Sequence, residues 1–229
     1  MKSVENKTYR LHQFKTSSLN FINYNYIIID KVSGQAAIVD PSWDLELIVR
    51  TFEHLGVQPA SILLTHSHMD HVNMVNPLVE RYDSQVFMSA EEINFYGFRC
   101  KNLNSVHDFD VLNLGFTELT FLLTPGHTVG GMCFLLTDHL FTGDTIFIEG
   151  CGACTSKGGS PEQMFESICK IKRTVKPHVC ICPGHSYGKE PGYPLSYLMH
   201  NNIYFQIEKE EYFIQFRMRN NQKNLLHFK

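Results

Sequence analysis

Short runs of apolar residues alternate with polar segments along most of the chain. The first run, LNFINYNYIIIDKVSGQAAIVD over residues 19–40, is rich in Ile, Val, Phe and Tyr and predicts two strands joined by a Gly-containing turn. This β-hairpin is expected to open the fold. The next stretch, residues 42–56, has apolar positions at helical spacing, which predicts an amphipathic helix with Ser42 as its N-cap and Gly56 just past its end.

Further apolar segments have the length of buried strands. They are SILL (61–64), SQVFM (84–88), TELTFLLT (117–124), MCFLLTD (132–138), HLFTGD (139–144) and HVCIC (178–182). Helices are predicted near Pro77, after a capping box from Ser89 to Glu92, and from Ser160, where Pro161 takes the first helical position. Residues 208–220 have Glu early and Arg late, which favours a short terminal helix.

Strands followed by loops recur, helices are interspersed, and no Pro/Ser-rich linker separates them. We therefore expect an α/β (α+β) fold in one domain over residues 1–229, with mixed sheets covered by helices. Residues from about 195 to 229 are expected to form a short helical C-terminal extension.

Composition and charge restrict the classes of partner that the protein is expected to bind. The 229 residues are 43% hydrophobic and 19% charged, which is an ordinary globular balance. The net charge of −3, without runs of Lys or Arg, favours neither nucleic acid nor an anionic membrane as a partner. No signal peptide or membrane span is evident, so a cytoplasmic protein is expected. The seven cysteines are expected to be reduced and mostly buried.

The heptapeptide THSHMDH, residues 65–71, places four metal-competent side chains in one short turn after a predicted strand. These are His66, His68, Asp70 and His71. Neutral imidazole and carboxylate suit zinc, iron, manganese or cobalt, and the lack of cysteine in the group favours an open catalytic site over a closed structural zinc site.

Three later strand ends supply further candidates, each next to a glycine that lets the backbone turn sharply. They are His127 in LLTPGHTVGG, Asp144 in LFTGDTIF and His185 in CICPGHSYG. One metal ion cannot use all seven donors and still bind water and substrate, so a site for two metals is predicted.

The order HxHxDH, then His, Asp and His at strand ends, resembles the pattern of the metallo-β-lactamase superfamily. This resemblance implies an αββα sandwich of two mixed β-sheets flanked by helices, with the metals along one edge. It also implies that His66, His68 and His127 hold one metal, that Asp70, His71 and His185 hold the other, and that Asp144 bridges them.

Within the superfamily, THSHMDH, TPGHT, TGDTIFIEGCG and PGHSYG look most like the glyoxalase II branch, which hydrolyses thioesters. The chain has Ala153 and Thr155 where those enzymes place a Lys and a Tyr that anchor glutathione. Only Tyr187 matches a glutathione-contacting position, and it is the candidate substrate-binding residue.

The segments EGCGACTSKGGSPEQMF and YFIQFRMRNNQ instead resemble the zinc-dependent hydrolases of trans-acyltransferase polyketide biosynthesis. This similarity implies two divalent ions, most simply Zn²⁺, and an acyl-thioester substrate presented by an acyl carrier protein in polyketide or antibiotic biosynthesis. The nucleophile would be a metal-bridged hydroxide oriented by Asp70, the expected catalytic residue. Candidate contacts to an acidic carrier are Lys157, Lys170, Lys172, Arg173 and Lys189.

Several alternatives remain open at this point. A hydroxyacylglutathione hydrolase would use the same metals, whereas a persulfide dioxygenase of the same fold would use a single iron bound by two His and one Asp. A lactonase would need the same hydroxide. Cys151 and Cys154 form a CxxC pair, a pattern typical of redox sites, but its place in a Gly-rich loop favours ordinary loop cysteines.

Overall fold

Two β-sheets pack face to face between two layers of helices in the computed structural model, which describes residues 1–19 and 21–220. This is the αββα arrangement of mixed sheets that the sequence resemblance implies.

The first sheet has seven strands in chain order. They are β1 (Lys2–Glu5), β2 (Tyr9–Ser18), β3 (Phe21–Asp30), β4 (Ala36–Val39), β5 (Pro59–Leu63), β6 (Gln85–Ser89) and β7 (Leu103–Val106). Strands β1 to β4 pair antiparallel, and β4 to β7 pair parallel. The predicted hairpin is β3–β4, but it does not open the fold. The polar side chains of Arg10, Gln13 and Lys15 obscured the strand pattern of β2, and two strands precede the hairpin.

The second sheet has five strands in the order β14-β11-β10-β9-β8. These are β8 (Val111–Leu114), β9 (Thr117–Leu123), β10 (Met132–Leu135), β11 (His139–Gly143) and β14 (Cys180–Pro183). Only β11 and β14 pair parallel. Two short strands, β12 (Ile146–Phe147) and β13 (Gly150–Cys151), form a separate ribbon.

Helices α1 (Leu45–Leu55), α3 (Val75–Tyr82) and α4 (Ala90–Tyr96) belong to the side of the first sheet, and the short α2 (Met69–Val72) follows β5. Ser42 is not the N-cap of α1, because its buried hydroxyl contacts Thr16 and Asn25 instead. The cap is Asp44, whose carboxylate accepts a hydrogen bond from the backbone N–H of Leu47 at 2.9 Å.

Helices α5 (Pro161–Thr174), α6 (Leu195–Asn201), α7 (Ile203–Gln206) and α8 (Glu210–Arg217) lie on the side of the second sheet. Ser160 caps α5 as predicted, and Met164, Ile168 and Ile171 are buried on its inner face. The last three helices fall within the predicted C-terminal extension. Residues 221–229 of that extension lie outside the described residues. No helix in the described part of the chain is long and apolar enough to span a membrane.

The core consists of three layers of apolar side chains. The central layer, with Tyr26, Ile28 and Val39 facing Phe121, Phe134 and Phe141, lies between the sheets. The outer layers join each sheet to its helices. Burial of apolar surface stabilises a fold by about 25 cal/mol for each square ångström. This packing is therefore the main source of stability. It fixes the strand ends from which the functional loops leave.

Candidate metal centre

The predicted metal-binding residues all follow strands that end at one edge of the sandwich. Residues 65–71 follow β5, and His127, Asp144 and His185 follow β9, β11 and β14. Since β9, β11 and β14 run in the same direction, their carboxyl ends meet at the same edge of the second sheet. The site is therefore built from both sheets.

Three histidines form a first cluster. His66 Nε2 lies 3.0 Å from His68 Nδ1, and His127 Nε2 lies 3.0 Å from the same nitrogen. His66 and His127 are buried, and His68 is partly exposed. Nitrogens bound to one tetrahedral zinc at about 2.0 Å lie roughly 3.3 Å apart. This triangle of nitrogens is therefore of the size that one zinc ion needs.

A second cluster combines one carboxylate with two histidines. Asp70 Oδ2 lies 3.1 Å from His185 Nε2 and 3.6 Å from His71 Nε2. Asp70 and His71 lie in α2, as the sequence predicts, while His185 comes from the opposite sheet. The ligand atoms of these three residues all lie within 4.8 Å of one another, as do those of the first cluster.

Asp144 lies between the two clusters. Its Oδ1 is 3.5 Å from His71 Nε2 and 3.6 Å from His185 Nε2, whereas its Oδ2 is 3.7 Å from His127 Nε2. Asp144 Oδ1 and His71 Nε2 are buried without a hydrogen-bond partner in the described structure. Buried polar atoms without partners are costly, and a bound cation would satisfy both. The donor sets therefore fit two metal ions with one carboxylate between them.

Hydrogen bonds behind the histidines fix which ring nitrogen faces the site. His127 Nδ1 lies 2.7 Å from the carbonyl oxygen of Ala153, and His185 Nδ1 lies 2.7 Å from that of Ile22. A carbonyl only accepts, so each Nδ1 is the protonated nitrogen and each Nε2 presents its lone pair to the cluster.

Asp40, which the sequence analysis did not identify, orients the ligands of both clusters. Its Oδ2 accepts hydrogen bonds from His71 Nδ1 at 2.9 Å and from the Thr65 hydroxyl at 2.6 Å. The Thr65 oxygen in turn lies 3.0 Å from His66 Nδ1. Asp40 has a left-handed backbone conformation (φ 47°), which is unusual for a non-glycine residue. Its position directly after β4, in the same way that His66 follows β5, was the signal available in the sequence.

Asn23 and Trp43 support Asp70 in a similar way and were also missed. The Asn23 amide donates to the backbone oxygen of Asp70 at 2.8 Å and to Asp70 Oδ2 at 3.3 Å. The Trp43 indole N–H donates to Asn23 Oδ1 at 2.6 Å. Nothing in the local sequence of either residue indicates this role, because the contacts depend on the tertiary arrangement.

The electrostatic environment of the histidines differs between the two clusters. Burial and the neighbouring histidines His71 and His127 hold the pKa of His66 well below its usual value. Burial, together with His127, lowers the pKa of His68 to about 4. His66 and His68 are thus neutral near pH 7 and ready to bind a cation.

The second cluster has the opposite balance. Burial disfavours the charged form of His71, but the carboxylates of Asp144, Asp70 and Asp40 outweigh it and raise its pKa to about 10. Burial likewise opposes the charge of Asp70, yet His71 and His185 hold its pKa well below the usual range. In the absence of a metal, a proton on His71 thus compensates the surrounding carboxylates.

Two glycines allow the loops to approach the ligands closely. A Cβ atom on Gly184 would lie 2.5 Å from His71 Cε1 and 3.0 Å from Asp144 Oδ1. A Cβ atom on Gly152 would lie 2.0 Å from the backbone oxygen of Asp144. These positions therefore require glycine.

The surroundings of the two thiols in the CxxC pair argue against redox chemistry. Cys151 and Cys154 are both buried and free of disulfides. Burial raises the pKa of Cys154 to about 11 and that of Cys151 further still. A reactive thiol needs a lowered pKa, so these are ordinary packed cysteines. Tyr187 is partly buried beside Gly150, and its ring packs against Phe147, with centroids 6.1 Å apart.

Comparisons with known proteins agree with this geometry. The profile of the metallo-beta-lactamase superfamily matches residues 19–185. PksB of Bacillus subtilis (strain 168), named a "probable polyketide biosynthesis zinc-dependent hydrolase", is 51% identical over 224 residues, covering 98% of this chain and 100% of that protein. A hydroxyacylglutathione hydrolase of Serratia proteamaculans (strain 568) is 34% identical over 164 residues, which are 71% of this chain and 62% of that protein.

A crystal structure of a metallo-beta-lactamase from Staphylococcus aureus subsp. aureus COL superposes with a TM-score of 0.84 at 27% identity. It covers 93% of this chain and 68% of that chain. The sequence profile, the relatives and the superposition confirm the resemblance that the motifs indicate, including its glyoxalase II-like and polyketide-hydrolase character. The chain therefore belongs to the metallo-β-lactamase superfamily.

Proposed function

We propose that this zinc-dependent hydrolase cleaves acyl thioesters, with acyl groups on an acyl carrier protein of polyketide biosynthesis as its substrates. The observation that supports metal-dependent hydrolysis most directly is the position of Asp144, with one carboxylate oxygen towards each cluster. The substrate class rests on the 51% identity to a polyketide biosynthesis hydrolase over nearly the whole chain.

The assignment of ligands follows from the distances. We infer that His66, His68 and His127 hold one ion, that Asp70, His71 and His185 hold the other, and that Asp144 contacts both. Two bound zinc ions would supply a hydroxide at neutral pH and a Lewis acid for the thioester carbonyl.

Asp70 is the proposed catalytic residue. Its carboxylate is partly exposed, unlike the buried His71 and His185 beside it, so it is the member of the second cluster that can reach an attacking water. The Asn23 amide, which donates to the backbone oxygen of Asp70 and to its carboxylate, holds this residue in place. Asp70 would orient the water and accept its proton as the carbonyl is attacked.

The second candidate substrate is an acylglutathione. Tyr187 next to the GCG loop favours it, because it matches a glutathione-contacting position of the glyoxalase II branch. Ala153 and Thr155 oppose it, since neither side chain is charged or aromatic. A mononuclear-iron dioxygenase would need only three protein donors, and the second complete cluster favours a dinuclear hydrolase.

The basic residues predicted to contact an acidic carrier differ in their availability. Lys170 is paired with Asp108 at 2.5 Å, and Lys172 donates to the backbone oxygen of Phe205 at 3.0 Å. Lys157 and Lys189 are exposed on the loops that follow the GCG and PGHSY segments. These two are therefore the better candidates for contacts with a carrier.

Substrate preference can be tested with three assays: hydrolysis of an acylated carrier protein and of an acylglutathione by zinc-loaded protein, and oxygen uptake on glutathione persulfide by iron-loaded protein. We expect the carrier-bound thioester to have the highest kcat/KM and no oxygen to be consumed. Oxygen uptake without hydrolysis would refute the proposal, and a preference for acylglutathione would refute its substrate assignment.

Charge reversal tests the carrier contact separately. The double variant K157E/K189E should raise KM for the acylated carrier and leave the hydrolysis of a small acyl thioester unchanged. The matched control is K176E, because Lys176 lies beside Leu135 and Thr137 at the opposite end of the second sheet. Equal effects of both changes would exclude a carrier contact at Lys157 and Lys189.

A further inference from the structure

We propose that Glu92 is a positioning residue that sets the spacing of the three histidines in the first cluster. The role in metal binding rests on the proposed dinuclear site. Glu92 was expected only to complete a capping box at the start of α4. Its backbone N–H does donate the expected hydrogen bond to the Ser89 hydroxyl oxygen at 3.1 Å. Its carboxylate, however, is directed at two other loops.

The first of these loops is the metal-binding turn. Glu92 is completely buried (0% exposed), and its Oε1 accepts hydrogen bonds from the Ser67 backbone N–H at 2.8 Å and from the Ser67 hydroxyl at 2.6 Å. Ser67 is the residue between His66 and His68. Two hydrogen bonds to this one residue fix the backbone from which both imidazoles project.

The second loop contains the third histidine. Glu92 Oε2 accepts a hydrogen bond from the backbone N–H of Gly130 at 3.0 Å, three residues after His127. The Ser89 hydroxyl donates to the Gly130 carbonyl at 2.6 Å, so both backbone groups of this glycine are held by α4. A Cβ atom on Gly130 would lie 2.2 Å from the Glu92 backbone nitrogen, so the loop and the helix are in direct contact.

One carboxylate thus joins the two loops that provide all three nitrogens of the first cluster. Those loops come from different sheets, and the nitrogens must lie about 3 Å apart to bind one ion. In the described part of the chain, no Lys, Arg or His lies within salt-bridge distance of Glu92. Its carboxyl group is held by hydrogen bonds from Ser67 and Gly130.

The variants E92Q and E92A distinguish the contact with Ser67 from the contact with Gly130. The Gln carbonyl can still accept from Ser67, but its NH₂ group would face the Gly130 N–H, donor against donor. E92A removes both contacts. The matched control is D30N, because Asp30 is also a completely buried carboxylate and accepts hydrogen bonds from Ser33 and Thr117 at the opposite end of the sandwich.

Zinc titration of metal-free protein, followed by mass spectrometry of the metal content, gives the decisive readout. We expect wild type and D30N to bind two zinc ions per chain. E92A should retain one tightly bound ion and bind the other about 10- to 100-fold more weakly, with E92Q between them. If E92A does not fold, E92Q decides, because it preserves the volume of the side chain.

Two results would overturn the proposal: a Glu92 variant that binds both ions with wild-type affinity, or D30N losing zinc to the same extent. Loss of hydrolysis is not the criterion. If wild-type protein bound two zinc ions but hydrolysed no thioester, the proposed substrate would be wrong, and the zinc titration would still decide the role of Glu92.

Discussion

At the scale of single residues, the site depends on carboxylates in distinct environments. Asp144 lies between the clusters, Asp70 is partly exposed at the second, and Asp40 is buried behind both. In the proposed centre the same chemical group would therefore serve as a ligand to two ions, as a ligand that can reach water, and as an orienting acceptor. The environment of each carboxylate, and not its type, sets its role.

Replacing Asp70 by Asn tests its catalytic assignment. The amide is of similar size but cannot accept a proton from water, so kcat for thioester hydrolysis should fall at least about 100-fold. Far-UV circular dichroism should stay unchanged, since the side chain lies at the edge of the core. The exposed Asp83, paired with Lys101, supplies the control D83N. A D70N variant with the wild-type rate would exclude Asp70 from the reaction.

The pKa of His71 predicts how zinc binding depends on pH. Its pKa of about 10 in the metal-free protein lies above its ordinary value of 6.5, so protonation stabilises that form fully below about 6.5, and the stabilisation is lost as the pH rises through 10. Zinc must displace this proton, and its affinity should therefore rise with pH between these limits.

Calorimetric zinc titrations at pH 7.5, in two buffers of different ionisation enthalpy, measure this release. We expect about one proton from His71 for each ion bound at the second cluster, and about none in H71A. Proton-independent zinc binding by the wild-type protein would show that His71 is already neutral.

The grouping of the candidate ligand residues could be predicted from the sequence because they occur in short motifs with fixed spacing. THSHMDH and the two PGH turns place donors beside glycines, and chance rarely produces that combination. The orienting residues Asp40, Asn23 and Glu92 could not be predicted in this way. Each acts through contacts with residues distant in sequence, and Glu92 has the appearance of an ordinary helix cap.

At the scale of elements, strand ends position the site. Asp40, His66, Asp144 and His185 all follow buried strands closely, so the sheets hold the loops at fixed separations. Apart from β2, whose polar residues obscure its pattern, the buried strands and the amphipathic helices were predictable because their apolar periodicity is strong. The exposed strands β1 and β7 were not, since half or more of their residues face solvent or are partly exposed.

Gly184 tests how closely β14 and its loop must approach the second cluster. In G184A the added Cβ would lie 2.5 Å from His71 Cε1, so His71 must move. We expect one of the two zinc ions to be lost, or its binding affinity to fall at least about tenfold. G56A is the control, because its Cβ meets no atom within 4 Å. It should lower the unfolding free energy by about 1 kcal/mol and leave both zinc ions bound.

At the scale of the whole molecule, the proposed metals would join the two sheets. The first sheet provides the ligands of residues 66–71, and the second provides His127, Asp144 and His185. A ligand that binds only the folded chain stabilises it by mass action, by about 2.7–4.1 kcal/mol for each site at 100 to 1,000 times Kd. The metal should therefore contribute to the stability of the sandwich as a unit.

Removal of both ions with a chelator should lower the melting temperature by roughly 10–30 °C, given about 5–8 kcal/mol for the two sites together and about 2–4 °C per kcal/mol for a chain of this length. Differential scanning calorimetry with and without chelator measures the change, and added zinc should restore it. An unchanged melting temperature would show that the ligands do not link the sheets through a metal.

In the proposed centre, two zinc ions bind side by side with Asp144 between them. The most direct test is a crystal structure of the zinc-loaded protein with anomalous scattering measured on both sides of the zinc absorption edge. We expect two anomalous peaks, one among His66, His68 and His127 and one among Asp70, His71 and His185. A single peak at full occupancy, or peaks away from these residues, would contradict this arrangement.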